Sequence, residues 1–224
     1  MTLSPLGDAA VVIELGSERD EVALTRVHAL TAALRRDPPA GVIDIVPAFA
    51  TVTVFYDLLR IGGFESFCAE LKTRAGRAAV SPPHDSGRLV EIPVCYGDEW
   101  GPDLLEVATS AGQSPDEVVA LHSGADYRVF AIGFAPGFPY LIGLPAKLQI
   151  PRRANPRVRV PAGSVAIGGA QTGIYPLAMP GGWNLIGQTP LALFQAEASP
   201  AALLNVGDRV KFRPITKEAF ARWK

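Results

Sequence analysis

The stretch from Tyr127 to Ala196 is punctuated throughout by glycine and proline, and this limits its fold more than any other feature of the sequence. Proline removes a backbone donor and clashes inside a helix, and glycine weakens both helix and strand interiors. What remains between the breaks is a series of short β-rich runs: YRVFAI, VRVPA, SVAIGG, LALFQ and, further on, RVKFRPI. Short strands separated by such turns predict a closed barrel rather than a parallel sheet.

The same 70 residues contain no Asp and no Glu. They carry Arg128, Lys147, Arg152, Arg153, Arg157 and Arg159, a local charge of +6, while the remaining 15 bases and all 22 acids leave the rest of the chain at −7. Paired-carboxylate acid–base chemistry cannot be housed in this segment alone. An anion can be, because arginine offers a planar fork of donors and glycine turns expose backbone N–H groups. Arg157 and Arg159 alternate with Val158 and Val160, which predicts that both guanidinium groups leave one face of a strand. The segment therefore reads as an anion-binding surface of arginine and backbone, with the Gln171-Thr172-Gly173 turn as a further source of donors.

The first part of the chain has a different texture. Ala9 to Leu15 predicts a buried strand. Ser17 as N-cap, with Asp20 in the first turn, then opens a helix to about Arg36, whose apolar stripe is Ala23, Val27, Leu30 and Leu34. Val42 to Val46 and Thr51 to Tyr56 read as a β pair. A second helix is expected over Phe64 to Arg77, with Phe64, Phe67, Cys68 and Leu71 inward. The order β-α-β-β-α, with room for a further strand, matches a split βαβ sandwich. Gly76 to Gly87, with Pro82-Pro83 and an exposed His84, is the linker candidate. The expected division is therefore 1–80 and 88–224. Leu89 to Tyr96 begins the second part as a strand. Two short helices follow, one from Pro102 to a stop at Gly112, the other from the capping box Ser114-Pro115-Asp116-Glu117 to Gly124. His122 falls in the last turn of the second. The helix dipole favours a protonated imidazole there, and His122 is also the near-neutral titratable group expected at the mouth of the basic β-domain.

At 224 residues, 48% hydrophobic and 19% charged, the chain can build one large or two small cores and is too apolar for disorder. Cys68 and Cys95 show no metal-type spacing, so no metal site is expected and a reducing, cytoplasmic setting is favoured. The start lacks the basic and apolar runs of a signal peptide. Val129 to Ala146 is uncharged for 18 residues, yet its prolines and glycines rule out a membrane-spanning helix. No GxxxxGK[ST], GxGxxG, HExxH or GxSxG pattern occurs. A pI near 6.3 argues against nucleic acid as partner.

Three blocks carry a family resemblance: GFAPGFPYLIGL, PRRANPRVRVPAGSVAIGGAQTGIYP and PGGWNLIGQTPLALF. With LGDAAVVIELG, VCYGDEWGPDL and LHSGADYRVFAIGF they span nearly the whole chain, which resembles the allophanate hydrolase subunit 1 family. That family includes the B component of a three-part ATP-dependent 5-oxoprolinase and an inhibitor of a sporulation histidine kinase, and its module recurs in the carboxyltransferase region of urea carboxylase. The resemblance implies an α+β protein, a small N-terminal α/β sandwich followed by a cyclophilin-like closed β-barrel. It implies a 5-oxoprolinase component that opens the lactam of 5-oxo-L-proline to give L-glutamate, with a biotin-dependent carboxyltransferase half or a kinase inhibitor as alternatives. ATP with magnesium belongs to the assembled complex, and none is expected on this chain alone. On that reading His122, Arg157 and Arg159 act in catalysis, and Arg152, Gln171, Thr172, Gly173 and Tyr175 bind substrate or anion. A- and C-type subunits are the partners. The C-type subunit would dock on the apolar loop from Phe134 to Ile142 and the Pro180 to Trp183 turn, through Phe134, Phe138, Tyr140 and Trp183.

Overall fold

The computed structural model describes residues 1–16, 21–80 and 87–223, and its contacts divide the chain into two compact units, Met1–Ser86 and Gly87–Lys224. The Ser17 cap, Asp20, His84 and half of the expected linker lie outside the described residues.

The first unit contains strands β1 (Thr2–Pro5) and β2 (Ala10–Glu14), helix α1 (Glu21–Arg36), strands β3 (Val42–Ala48) and β4 (Thr51–Tyr56), and helix α2 (Phe64–Val80). Its sheet order is β1-β2-β4-β3. Because β4 runs antiparallel to both β2 and β3, those two are parallel, and α1 is the crossover of a split βαβ unit. The fourth strand is β1, which forms a hairpin with β2 ahead of the predicted elements. The stripe Ala23, Val27, Leu30 and Leu34 is buried as its helical spacing requires, and it meets Val52, Val54 and Tyr56 from alternate positions of β4. Two expectations need correction. Helix α2 continues to Val80, past the expected start of the linker, and Phe64, which opens the helix, is 37% exposed and meets Tyr56 at 6.4 Å between ring centroids.

The second unit begins with β5 (Leu89–Tyr96), α3 (Leu104–Ala111) and α4 (Pro115–Gly124). The Ser114–Glu117 capping box is present, and Gly112 ends α3 in a left-handed conformation, φ 62°. Then come β6 (Tyr127–Ile132), β7 (Pro139–Ile142), a 3₁₀ turn (Ala146–Leu148), β8 (Arg157–Val160), β9 (Ser164–Gly168), β10 (Gln171–Ile174), β11 (Met179–Gly181), β12 (Asn184–Gln188), β13 (Arg209–Pro214) and α5 (Lys217–Ala221). Seven strands close into a barrel in the order β10-β7-β6-β13-β5-β12-β9, with β10 pairing back to β9. Only β5 and β13 pair in parallel; the other barrel ladders are antiparallel. The run LALFQ forms no strand and contributes one isolated bridge, Phe194 to Ala202.

Strand β9 is buried along its whole length. Its Val165 and Ile167 join the main core with Val129, Leu141 and Phe212, while Ala166 faces the other way into a smaller cluster of Phe138, Val160, Tyr175, Trp183 and Leu185. The two-stranded ribbon β8–β11 supplies Val160, with Met179 packed at the edge, to this second cluster. The barrel wall is thus covered on both faces at this point, and the second cluster is where the candidate site lies.

Candidate functional site

A cavity of about 330 Å³ opens beside the second cluster. Ligand sites typically occupy about 300 to 1,000 Å³, so it suits a small molecule. Its walls are aromatic. Phe138 stands at the centre, edge-on to Tyr140 at 4.9 Å, Tyr175 at 5.3 Å and Trp183 at 5.7 Å between ring centroids. Such edge-to-face pairs are favoured by the ring quadrupole. Glycines make the packing possible. A Cβ at Gly168 would lie 2.7 Å from the Trp183 ring, one at Gly173 would lie 2.9 Å from Phe138, and one at Gly181 would overlap Tyr175. Gly181, Gly182, Pro156 and Pro180 complete the rim. Phe134 sits at the mouth, 63% exposed, with a left-handed φ of 69° that is strained for a bulky residue.

Arg152 and Arg153 also line the cavity, and their environments differ. The Arg152 guanidinium lies over the Trp183 ring at 5.5 Å, a cation–π contact, and has no carboxylate partner among the described residues. Arg153 donates to Asp103 at 2.9 Å and to Glu106 at 3.1 Å. Arg157 donates to both oxygens of Asp103, at 2.8 and 2.7 Å, and the Leu185 N–H donates to the same carboxylate at 2.7 Å. Asp103 is buried, so this is a charge-assisted network with low solvent screening. The Arg157 pKa is raised, first by that hydrogen bond. Burial raises the phenol pKa values of Tyr140 and Tyr175, although nearby Arg152 pulls both in the opposite direction. Both phenols remain neutral at physiological pH.

The predicted site residues therefore separate. Arg152 and Tyr175 from the anion set, and Phe134, Phe138, Tyr140 and Trp183 from the docking set, line one cavity. Phe138 and Trp183 are 1% and 5% exposed, so they are packing walls rather than exposed anchors; among the docking residues only Phe134 is exposed. Arg157 is committed to Asp103. Arg159 is exposed and does not line the cavity. The expected alternation along β8 fails because its pairing with β11 shifts register between Met179 and Gly181, leaving Val158 89% exposed and Val160 buried. Gln171, Thr172 and Gly173 form no turn: they are buried in barrel strand β10.

His122 is fully buried, which corrects its expected place at the mouth of the barrel. Phe212 stacks on it at 4.5 Å, and burial pushes its pKa down to about 3, overriding the helix-end effect. Its tautomer follows from its neighbours. Thr172 Oγ1 donates its one hydrogen to the Ala166 carbonyl at 2.9 Å, so at 3.0 Å it accepts from His122 Nε2–H. His122 Nδ1 in turn accepts from the Tyr96 hydroxyl at 2.8 Å. The histidine is a neutral strut joining α4 to β5 and β10.

Sequence reasoning missed Asp103, which acts on arginines about 50 residues away. Its signal was indirect: an acid-free segment with six bases needs counter-charge from elsewhere. No group of three His, Cys, Asp or Glu side chains suited to a metal ion occurs among the described residues.

The chain thus joins a split βαβ unit to a closed mixed barrel that carries an aromatic cavity against its wall. The chain belongs to the family described as carboxyltransferase domain, subdomain C and D, whose model matches residues 1–204. It is 43% identical to the B subunit of 5-oxoprolinase from Bacillus subtilis strain 168, over 99% of this chain and 96% of the relative. It is 44% identical to the protein of the same name from Escherichia coli O157:H7, over 93% of this chain and 94% of the relative. Among solved structures, TTHA0988 is 42% identical with a TM-score of 0.81, covering 92% of this chain; the chain spans only 40% of that longer protein.

Proposed function

We propose that this chain is the B-type component of an ATP-dependent 5-oxoprolinase that converts 5-oxo-L-proline to L-glutamate. The observation that carries this reading is near-full-length similarity, at 43 and 44% identity, to two proteins named as that component. The cavity agrees in chemistry. The substrate is a small flat ring with one carboxylate, and the walls offer aromatic faces, neutral phenols and a guanidinium. Among the described residues no Asp or Glu lines the cavity, and none of their groupings suits a metal ion. A general base and the ligands for magnesium would therefore come from the A- and C-type partner subunits. ATP, when bound in the complex, supplies the activation that a stable lactam needs. This chain's part is to hold the ring and exclude water, which lowers the barrier by fixing geometry. The exposed Phe134 at the mouth is the surviving candidate contact for the C-type subunit. The carboxyltransferase alternative has behind it the family description and a 22% identical match to the urea amidolyase of Saccharomyces cerevisiae, of which this chain covers 13%.

The test is reconstitution with A- and C-type subunits. The complex should convert 5-oxoproline to glutamate with ATP hydrolysis, and omitting this chain or assaying it alone should abolish turnover. Turnover by the isolated chain, or none by the full complex, would refute the assignment.

A further inference from the structure

The arginines in and beside the cavity divide into paired and unpaired groups. Asp103 engages both Arg153 and Arg157, with Glu106 adding to Arg153. Arg152 stands apart over Trp183, close enough to the Tyr140 and Tyr175 phenols to shift both. Of the two guanidinium groups in the wall, Arg153 is thus engaged by carboxylates and Arg152 is left to meet one anionic group.

Resting on the reading above, we propose that this cavity is a subsite for a cyclic monocarboxylate, with Arg152 holding its carboxylate, and that it rejects the open-chain amino-acid product. The ring packs against Phe138 and Trp183, beside the neutral phenols of Tyr140 and Tyr175, the second already hydrogen-bonded to the Trp183 backbone. Glutamate has a second carboxylate and an ammonium. The second carboxylate finds Arg153 already engaged by Asp103. The ammonium finds no acid among the described residues of the cavity wall, nor any in the sequence from Tyr127 to Ala196. Burying an unpaired charge against aromatic walls is unfavourable, so lactam opening converts a fitting ligand into a misfit and promotes its release. A lactam without a carboxylate, such as 2-pyrrolidone, lacks the group that Arg152 recognises.

The experiment is calorimetric or ligand-observed NMR titration of the full chain with 5-oxo-L-proline, L-glutamate and 2-pyrrolidone, using wild type, R152Q and R152K. R222Q, a surface change near the C-terminus, controls for loss of positive charge. The expected result is binding of 5-oxoproline at least tenfold tighter than glutamate or 2-pyrrolidone. R152Q should weaken it at least tenfold, R152K should recover part of the loss, and R222Q should leave it unchanged. In the reconstituted complex, R152Q should raise KM for 5-oxoproline. Absence of 5-oxoproline binding by the wild-type chain, equal binding of glutamate, wild-type affinity in R152Q, or an unchanged KM in the R152Q complex would each overturn the proposal. A complex that turns over 5-oxoproline but shows none of the Arg152 effects removes the subsite and leaves the functional assignment standing. A chain that discriminates as expected within an inactive complex does the reverse.

Discussion

Arg153 and Arg157 both donate to Asp103, whose side chain is 4% exposed while theirs are 28% and 26% exposed. Removing Asp103 strands Arg157 and leaves Arg153 only the exposed Glu106, and breaking a buried ion group in this way typically costs about 3–5 kcal/mol. Asp103→Ala should lower stability by about that amount in urea unfolding, with correctly folded protein at low denaturant. A loss below about 1 kcal/mol would mean solvent screens the network. His122 makes a separate prediction. Its folded pKa of about 3 lies below the ordinary value of 6.5, so between those limits the unfolded state binds the extra proton. Stability from this group is therefore complete above pH 6.5 and falls as the pH drops toward 3. The share lost between pH 7 and pH 5 is about 2 kcal/mol. His122→Gln should be less stable at pH 7, and its own decline to pH 5 should be smaller than wild type by about that difference. Parallel declines would place a charged histidine in the folded state.

At the level of elements, the cavity depends on strands that bring glycine under aromatic rings. Gly168 ends β9 directly beneath Trp183, and its backbone has an ordinary φ, so an alanine there is opposed by the ring alone. Gly168→Ala should shift the indole and cost about 1–3 kcal/mol by overpacking. Denaturation should show the loss, and 5-oxoproline titration should show weakened binding. Stability equal to wild type would show that Trp183 can move aside freely. The register shift between β8 and β11 acts similarly. It leaves Val158 exposed while Val160 enters the cluster, although strict two-residue alternation would put both on one face.

For the whole molecule, the two units have separate hydrophobic cores, one built on Val11, Val27 and Val54, the other on Val94, Ile167 and Phe212. Residues 87–224 expressed alone should unfold in one cooperative transition by calorimetry; an aggregated or non-cooperative product would show that this unit needs the first. The split βαβ order, both principal helices, the capping box and the change to short β-runs were legible in the sequence, because each is dictated by local spacing and turn chemistry. The short barrel strands β7, β10 and β12 were not, since their pairing is set by barrel closure rather than by alternation within four or five residues, and neither was β11, which pairs with β8 outside the barrel. Every residue that lines the cavity falls in the acid-free segment, but the segment could not say which arginine lacks a carboxylate partner. That was decided by Asp103, brought in from the start of α3, because an ion pair forms where the folded chain places two charges and not where they fall along the sequence. The same reasoning applies to His122. Its helix-end position favours a charged imidazole, yet the barrel buries it against Phe212, and desolvation outweighs the helix dipole.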